Sequence, residues 1–191
     1  MLVLVGKMCS GKNTIRDILV DEYGMEPVLT HTTRPPRDGE ENYIDYIFIN
    51  DTHFKNLKED GWFAETTSYN VASGDTWYYG SAVHDYENGQ NKIIILNPEG
   101  LKEVEKRGIP VFAIYLLAPE SAIRDRARKR GDPPDEVERR IKSDNEDFYH
   151  IEDYIDGTIV NFSHPELVAK EVYKVYHNYL KRNGMLDVDE N

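Results

Sequence analysis

Met1-Leu2-Val3-Leu4-Val5-Gly6-Lys7-Met8-Cys9-Ser10-Gly11-Lys12-Asn13-Thr14 opens the chain. Leu2 to Val5 is a short apolar run stopped by glycine, which reads as a buried parallel strand. Gly6 to Lys12 fits the pattern G-x-x-x-x-G-K. Glycines in such a loop let backbone N–H groups curl around phosphates, and Ser10 and Gly11 sit in its curve. From Asn13 to Tyr23, Ile15, Ile18 and Leu19 share one helical face, and Gly24 stops the helix. The order strand, loop, helix is the context the loop needs, because a helix N-terminus adds partial positive charge. Lys12 is placed to reach the β and γ phosphates of a nucleotide. The next position, where the pattern wants Ser or Thr for Mg²⁺, is Asn13, with Thr14 after it. Asn13 can offer an oxygen to a water-bound ion, or Thr14 can contact a phosphate.

Working outward, strands and helices alternate. Val28 and Leu29 suggest a strand, and Tyr43 to Ile49 alternates like one. Asp51 to Asp60 reads as a short helix capped by Asp51 or Thr52. Phe63 to Tyr79, rich in Thr, Tyr and Trp, favours a small sheet. Buried strands are expected at Lys92 to Leu96 and Val111 to Leu117, with a last short one at Thr158 to Asn161. Helices are expected at Leu101 to Lys106, Glu120 to Arg130, Asp135 to Tyr149 and Pro165 to Lys181. The acidic tail after Gly184 is expected to fray. The alternation predicts an α/β fold, with a parallel sheet covered on both faces.

With 191 residues, 39% hydrophobic and 30% charged, the chain suits one soluble domain with a sizeable core. A formal net charge of −12 argues against a nonspecific nucleic-acid binder. It leaves room for a local basic cleft that takes small anions. Cys9 is the single cysteine, so no intrachain disulfide is possible, and a cytoplasmic location is the default. The apolar opening run is too short for a membrane span and lacks a basic leader, so neither a signal peptide nor a membrane partner is expected. The histidines show no metal-ligand spacing.

Arg34 and Arg37 lie on one turn-rich segment near Tyr46. Paired guanidiniums suit a monophosphate dianion, because Arg forms bidentate charge-assisted bonds. Arg126 and Arg130 lie four apart on one helix face. Thr32-Thr33-Arg34-Pro35-Pro36-Arg37-Asp38-Gly39-Glu40, preceded by the hydroxyl of Thr30 and followed by Asp45-Tyr46-Ile47-Phe48, resembles the guanylate kinase family. The resemblance runs from Met1 to about Asn161.

That resemblance implies a P-loop three-layer domain with a small mixed acceptor-binding lobe and a helical lid. The core would take residues 1–30, 82–120 and 150–184, the lobe 31–81 and the lid 121–149. It implies ATP-dependent phosphorylation of GMP or dGMP, with Mg²⁺ accompanying ATP. Arg34, Arg37, Tyr46 and Tyr79 would hold the acceptor phosphate. Glu65 would answer the N1–H and 2-amino donors of guanine, with Thr30, Ser81 and Asn97 beside it. Arg130 and Asn161 would face adenine, and Arg126 and Arg140 the transferring phosphoryl group. Two features depart from the family pattern. The stretch Glu65 to Tyr79 is longer, and Ile95 and Asn97 stand where the family has a pair of aspartates. Glu99 is a possible substitute carboxylate. Two other readings stand beside this one: a P-loop kinase with a different small phosphorylated acceptor, and a catalytically weakened guanylate-kinase-like domain that binds partners or regulates, although the scaffold domains of that kind lack the phosphate loop this chain keeps.

Overall fold

Apolar side chains fill both faces of the first strand, and the larger sheet is built around it. The computed structural model describes residues 1–70, 74–162 and 164–186. The elements run β1 (Leu2–Val5), α1 (Lys12–Tyr23), β2 (Glu26–Pro27), β3 (His31–Thr32), β4 (Ile47–Phe48), α2 (Asp51–Glu59), β5 (Phe63–Asn70), β6 (Thr76–Ala82), β7 (Lys92–Ile95), α3 (Pro98–Lys106), β8 (Phe112–Leu117), α4 (Glu120–Arg130), α5 (Pro134–Asp147), β9 (Gly157–Val160) and α6 (Pro165–Arg182). The acidic end of the chain from Asp187, expected to fray, lies outside the described residues. Among the described residues, no helix is long and apolar enough to cross a membrane.

The chain divides into two compact units. The first takes Met1–Pro27, Gln90–Pro98 and the chain from Val111 onward. Its sheet has the order β2-β7-β1-β8-β9, and every neighbouring pair is parallel. Leu2 and Leu4 point into a core shared with Ile15 and Leu19 of α1 and with Val168, Val172 and Tyr176 of α6. The four-residue repeat of the α6 positions lays one apolar stripe along the sheet. Val3 and Val5, on the other face of β1, are fully buried too. A second cluster joins Met8 of the loop to Ala118, Ile123 and Ala127 before and within α4, and to Val137 and Ile141 of α5. The two expected lid helices thus share an apolar seam with the loop.

The second unit takes Val28–Gly89 and Glu99–Pro110. It holds a mixed sheet of order β4-β3-β6-β5, parallel between β3 and β4 and antiparallel elsewhere. The long stretch after Glu65 forms a hairpin whose register continues out to Asn70 opposite Thr76. Residues 71–73 lie outside the described residues. Phe63 stacks on Phe54 of α2 at 4.6 Å between ring centroids, which closes the unit's own core.

Three local expectations change. Val28 and Leu29 are not in a strand; the edge strand falls on Glu26–Pro27 instead. Of Tyr43 to Ile49, only Ile47–Phe48 is strand. Tyr43 has φ +63°, and Ile44 and Asp45 donate back to the Glu41 carbonyl, so the preceding residues turn. The α2 cap is Asn50, whose side chain accepts from the His53 N–H at 2.8 Å, and not Asp51 or Thr52. Asn50→Ala should lower stability by about 1 kcal/mol, as an N-cap loss does, read as a lower urea midpoint by circular dichroism.

Candidate active site

β1 delivers the chain to a loop that two glycines make possible. A Cβ at Gly6 would lie 2.5 Å from Ser10 Oγ and 2.8 Å from the Leu116 carbonyl. Gly11 has φ +96°, and a Cβ there would meet Asn161 Nδ2 at 2.3 Å. Cys9 is also left-handed, at φ +50°, so the loop curls tightly between them. Gly11 caps α1 with no side-chain acceptor, which leaves the first-turn N–H groups open to an anion.

Lys12 Nζ bonds the carbonyls of Gly6 at 2.6 Å and Lys7 at 3.0 Å. Burial lowers its pKa to about 8, against the pull of the Asp144 carboxylate, so it remains largely cationic at neutral pH. Asp144 Oδ2 also accepts the Met8 N–H at 2.6 Å. Asn161 Nδ2 donates to the Ser10 carbonyl at 2.7 Å. Arg126 donates to the carbonyls of Cys9 and Ser10, each at 3.1 Å, and of Asn161 at 3.0 Å. Arg126 is therefore engaged with the loop backbone from behind Gly11. Ser10 Oγ and Asn161 Oδ1 are buried with no hydrogen-bond partner among the described residues.

A cavity of about 520 Å³ opens at this loop. Ser10, Gly11, Lys12, Asn13, Thr14, Arg126, Arg130, Arg140 and Asn161 all line it, while Gly6 sits beneath. Arg130 pairs with Asp132, its Nε 3.0 Å from both carboxylate oxygens. Arg140 makes no ion pair among the described residues. Asn13 and Thr14 are exposed in the first turn of α1. A neutral amide oxygen at that place fits a hard cation met through water, not one stripped of its water. Asn97 follows β7 at the edge of the sheet where β1 also ends, since Leu4 lies opposite Ile95 in parallel register.

In the second unit the phosphate-type residues gather around one buried guanidinium. Arg34 is 3% exposed. It bonds Glu40 through two nitrogens, each at 2.9 Å, and the Pro35 carbonyl at 2.8 Å. Burial alone would lower its pKa, but the Glu40 bonds outweigh that and raise it. The guanidinium carbon lies 5.2 Å from the Tyr46 ring centre, and Tyr46 lies 6.2 Å from Tyr79. Arg37 shares the turn, with its N–H on Glu40 Oε2 at 2.8 Å, but its side chain is exposed. Thr30 contributes its carbonyl to the Ile47 N–H at 3.0 Å and is half-buried.

Glu65 forms a second centre. The β5–β6 register shifts between Phe63 and Glu65, which sets Glu65 opposite Ser81. Such irregularities re-aim a side chain. Glu65 Oε1 accepts the Ser81 N–H at 2.9 Å and the Ser81 hydroxyl at 2.7 Å. Glu65 is 2% exposed, and burial pushes its pKa up to about 7. The two Ser81 bonds hold it down, while the charges of Glu103 and Glu99 push it further up. Glu99, the substitute carboxylate named from sequence, is thus electrostatically coupled to Glu65.

Four residues were not assigned roles by sequence. Glu40 braces Arg34. Glu103 accepts the Thr66 N–H at 2.8 Å and pairs with Arg107 at 3.0 Å. Tyr86 meets the Ser81 hydroxyl at 2.7 Å. Asp144 lies on the α5 face that carries the buried Val137 and Ile141, so a carboxylate on that helical stripe is the signal that could have flagged it.

The raised Glu65 pKa has a stability consequence. A carboxyl whose folded pKa lies above its unfolded value contributes most below the unfolded value, and the contribution fades as pH rises through the folded one. Above pH 7 the buried charge is therefore a liability of at most about 3 kcal/mol. Glu65→Gln should raise the urea midpoint at pH 8 relative to the parent, and the difference should shrink toward pH 5. An unchanged difference across that range would contradict the assignment.

The sequence model of the guanylate kinase family matches residues 1–175. Guanylate kinase of Onion yellows phytoplasma is 31% identical over 167 residues, covering 81% of this chain and 76% of its own. That of Lactobacillus acidophilus is 30% identical over 169 residues, covering 84% and 80%. In fold, the chain is similar to a crystal structure of guanylate kinase from Anaplasma phagocytophilum, with a TM-score of 0.68, 21% identity, and coverage of 98% of this chain and 96% of that one. With a phosphate loop at the end of β1, a Thr-Thr-Arg segment in the second unit, and a family match across residues 1–175, the chain belongs to the guanylate kinase family.

Proposed function

We propose that the chain transfers the γ-phosphoryl group of ATP to GMP or dGMP, yielding ADP and GDP or dGDP. The observation that carries the acceptor is Glu65, a buried carboxylate held by Ser81 in a chain that also has a phosphate loop. Guanine offers two donors on one edge, and an ionised carboxylate only accepts. Adenine offers an acceptor at N1 there, so the same carboxylate disfavours it.

Lys12 leaves the Gly6 and Lys7 carbonyls to follow the β and γ phosphates, and the loop N–H groups hold the chain of phosphates. Arg130 and Asn161 serve the adenine end. Arg126 and Arg140 stabilise charge on the transferring group, and Arg34, Arg37, Tyr46 and Tyr79 hold the acceptor phosphate. Thr30, Ser81 and Asn97 complete the base contacts. Mg²⁺ would accompany ATP, held through water by Asn13, and would offset the negative charge of the phosphates. An acceptor phosphate oxygen forms the new bond to the γ-phosphorus as the bond to the β–γ bridging oxygen breaks. No side-chain nucleophile is needed. The partners are small nucleotides, with no nucleic acid or membrane among them, and the setting is the cytoplasm.

ADP release from ATP·Mg²⁺ should be measured with GMP, dGMP, AMP, CMP, UMP and dTMP in turn. GMP or dGMP should turn over, and Lys12→Ala should reduce that turnover by about a hundredfold or more. Turnover with another acceptor alone would reject the base assignment. The pH dependence gives a second check. Glu65 must be ionised to accept from guanine, so KM for GMP should climb as pH falls below about 7 and level off above it. Glu65→Gln should show a higher KM without that climb.

A further inference from the structure

Ser81 has one hydroxyl proton and two close oxygen neighbours. Its Oγ lies 2.7 Å from Glu65 Oε1 and 2.7 Å from the Tyr86 hydroxyl. Where Glu65 is ionised, above about pH 7, it has no proton to give, so Ser81 donates to it. The remaining bond can then run in one direction only, from the Tyr86 hydroxyl to Ser81 Oγ. The protons are ordered Tyr86 to Ser81 to Glu65, and none is left for the Ser81 hydroxyl to turn elsewhere.

The fold fixes the start of this relay. β6 ends at Ala82, and the single 3₁₀ turn Val83–Asp85 brings the chain back, with the Tyr86 N–H on the Val83 carbonyl at 3.0 Å. Tyr86 is buried. Its hydroxyl strongly resists ionisation, first through burial and then through the nearby Glu65 charge, so it stays a donor. Chains of hydrogen bonds in a low-dielectric interior strengthen one another.

We propose that Tyr86 is a positioning residue for acceptor specificity, locking the Ser81 hydroxyl onto Glu65 so that the pair presents only acceptors to a purine base. This rests on the GMP reading above. A base edge made of donors, N1–H and a 2-amino group, suits an acceptor-only wall. Hypoxanthine carries the same N1–H but lacks the 2-amino group, so it uses less of that wall. Without the Tyr86 hydroxyl, Ser81 Oγ loses its donor, the Ser81–Glu65 bond loses the strengthening that donor supplies, and discrimination between the two bases narrows.

The test is Tyr86→Phe, which keeps the ring and deletes the hydroxyl, assayed by steady-state ADP release with GMP and IMP. KM for GMP should rise about fivefold, the worth of one hydrogen bond between neutral groups, with kcat within about twofold. The GMP-over-IMP ratio of kcat/KM should shrink by a similar factor. Ser81→Ala gives the second arm. Because Tyr86 acts through Ser81, the double variant should be no worse than Ser81→Ala alone. Parent-like KM and base preference in Tyr86→Phe, or full additivity with Ser81→Ala, overturns the proposal. Loss of kcat with KM unchanged also overturns it, since that marks a structural role. Absence of parent turnover with GMP is read separately: it overturns the acceptor assignment, and this inference with it.

Discussion

Parallel pairing of β1 with β7 on one side and β8 on the other is the constraint on which the first unit depends. Because β1, β7, β8 and β9 all run the same way, their carboxyl ends fall on one edge. The phosphate loop follows β1, Asn97 follows β7, α4 with Arg126 and Arg130 follows β8, and Asn161 follows β9. Ligand sites in open parallel sheets lie at that edge for this reason. Once the strands are aligned, residues more than a hundred positions apart in sequence share one cavity. The Ser10 carbonyl, bonded by both Asn161 and Arg126, knits the edge together. Gly11 is confined by the same contact, since the Asn161 amide occupies the space of its missing Cβ.

The second unit depends instead on buried charge. Arg34, Glu65 and Ser81 are nearly sealed from solvent, while Glu40, the partner of Arg34, is partly exposed. Breaking a buried ion pair by deleting one partner costs about 3–5 kcal/mol, because the other charge is left uncompensated. Glu65 is the sharper case, since no cation pairs with it in its pKa balance and two further carboxylates face it from α3. Hydrophobic substitution would serve stability better at such a place. A carboxylate held there against its own electrostatics marks a candidate functional site.

How much was legible in sequence follows from how local each signal is. β1, the loop and α1 are fixed by a contiguous run in which strand length, glycine placement and helical spacing agree, and the structure matches them closely. α4 matched to the residue because its apolar positions and Gly131 are local too. Val28 and Leu29 misled because an apolar pair is no requirement of an edge strand; Glu26 and Pro27 pair through backbone at the rim, where Pro is tolerated. Tyr43 to Ile49 alternates in sequence, yet a left-handed residue at Tyr43 turns the chain before it can extend. The expected site residues on the ATP side, Gly6 apart, line one cavity, whereas Arg37 differs from Arg34 in remaining exposed. Tyr86 and Glu103 escaped because their roles exist only through tertiary contact, whereas Glu40 lies six residues from Arg34 and Asp144 sits on the apolar stripe of α5, so both carried a local signal. Nothing in the spacing of Ser81 and Tyr86 announces that a 3₁₀ turn will bring their hydroxyls together.

The departures from the family pattern acquire a physical reading in this light. Asn97 brings no charge where an aspartate is usual, and Ile95 is spent on pairing with β1. Negative charge near Glu65 comes instead from Glu103 and Glu99, both carried on α3. Those two sites are not equivalent. An aspartate in the base site accepts a bond directly, while Glu103 is already committed to the Thr66 N–H and Arg107. What it supplies is potential, and potential of that sign works against ionisation of Glu65. The bonds from Ser81 oppose it, and the ordered hydroxyls behind Ser81 extend that opposition into the core. The Glu65 pKa is thus raised first by burial and then by two carboxylates, and held down by the two bonds from Ser81.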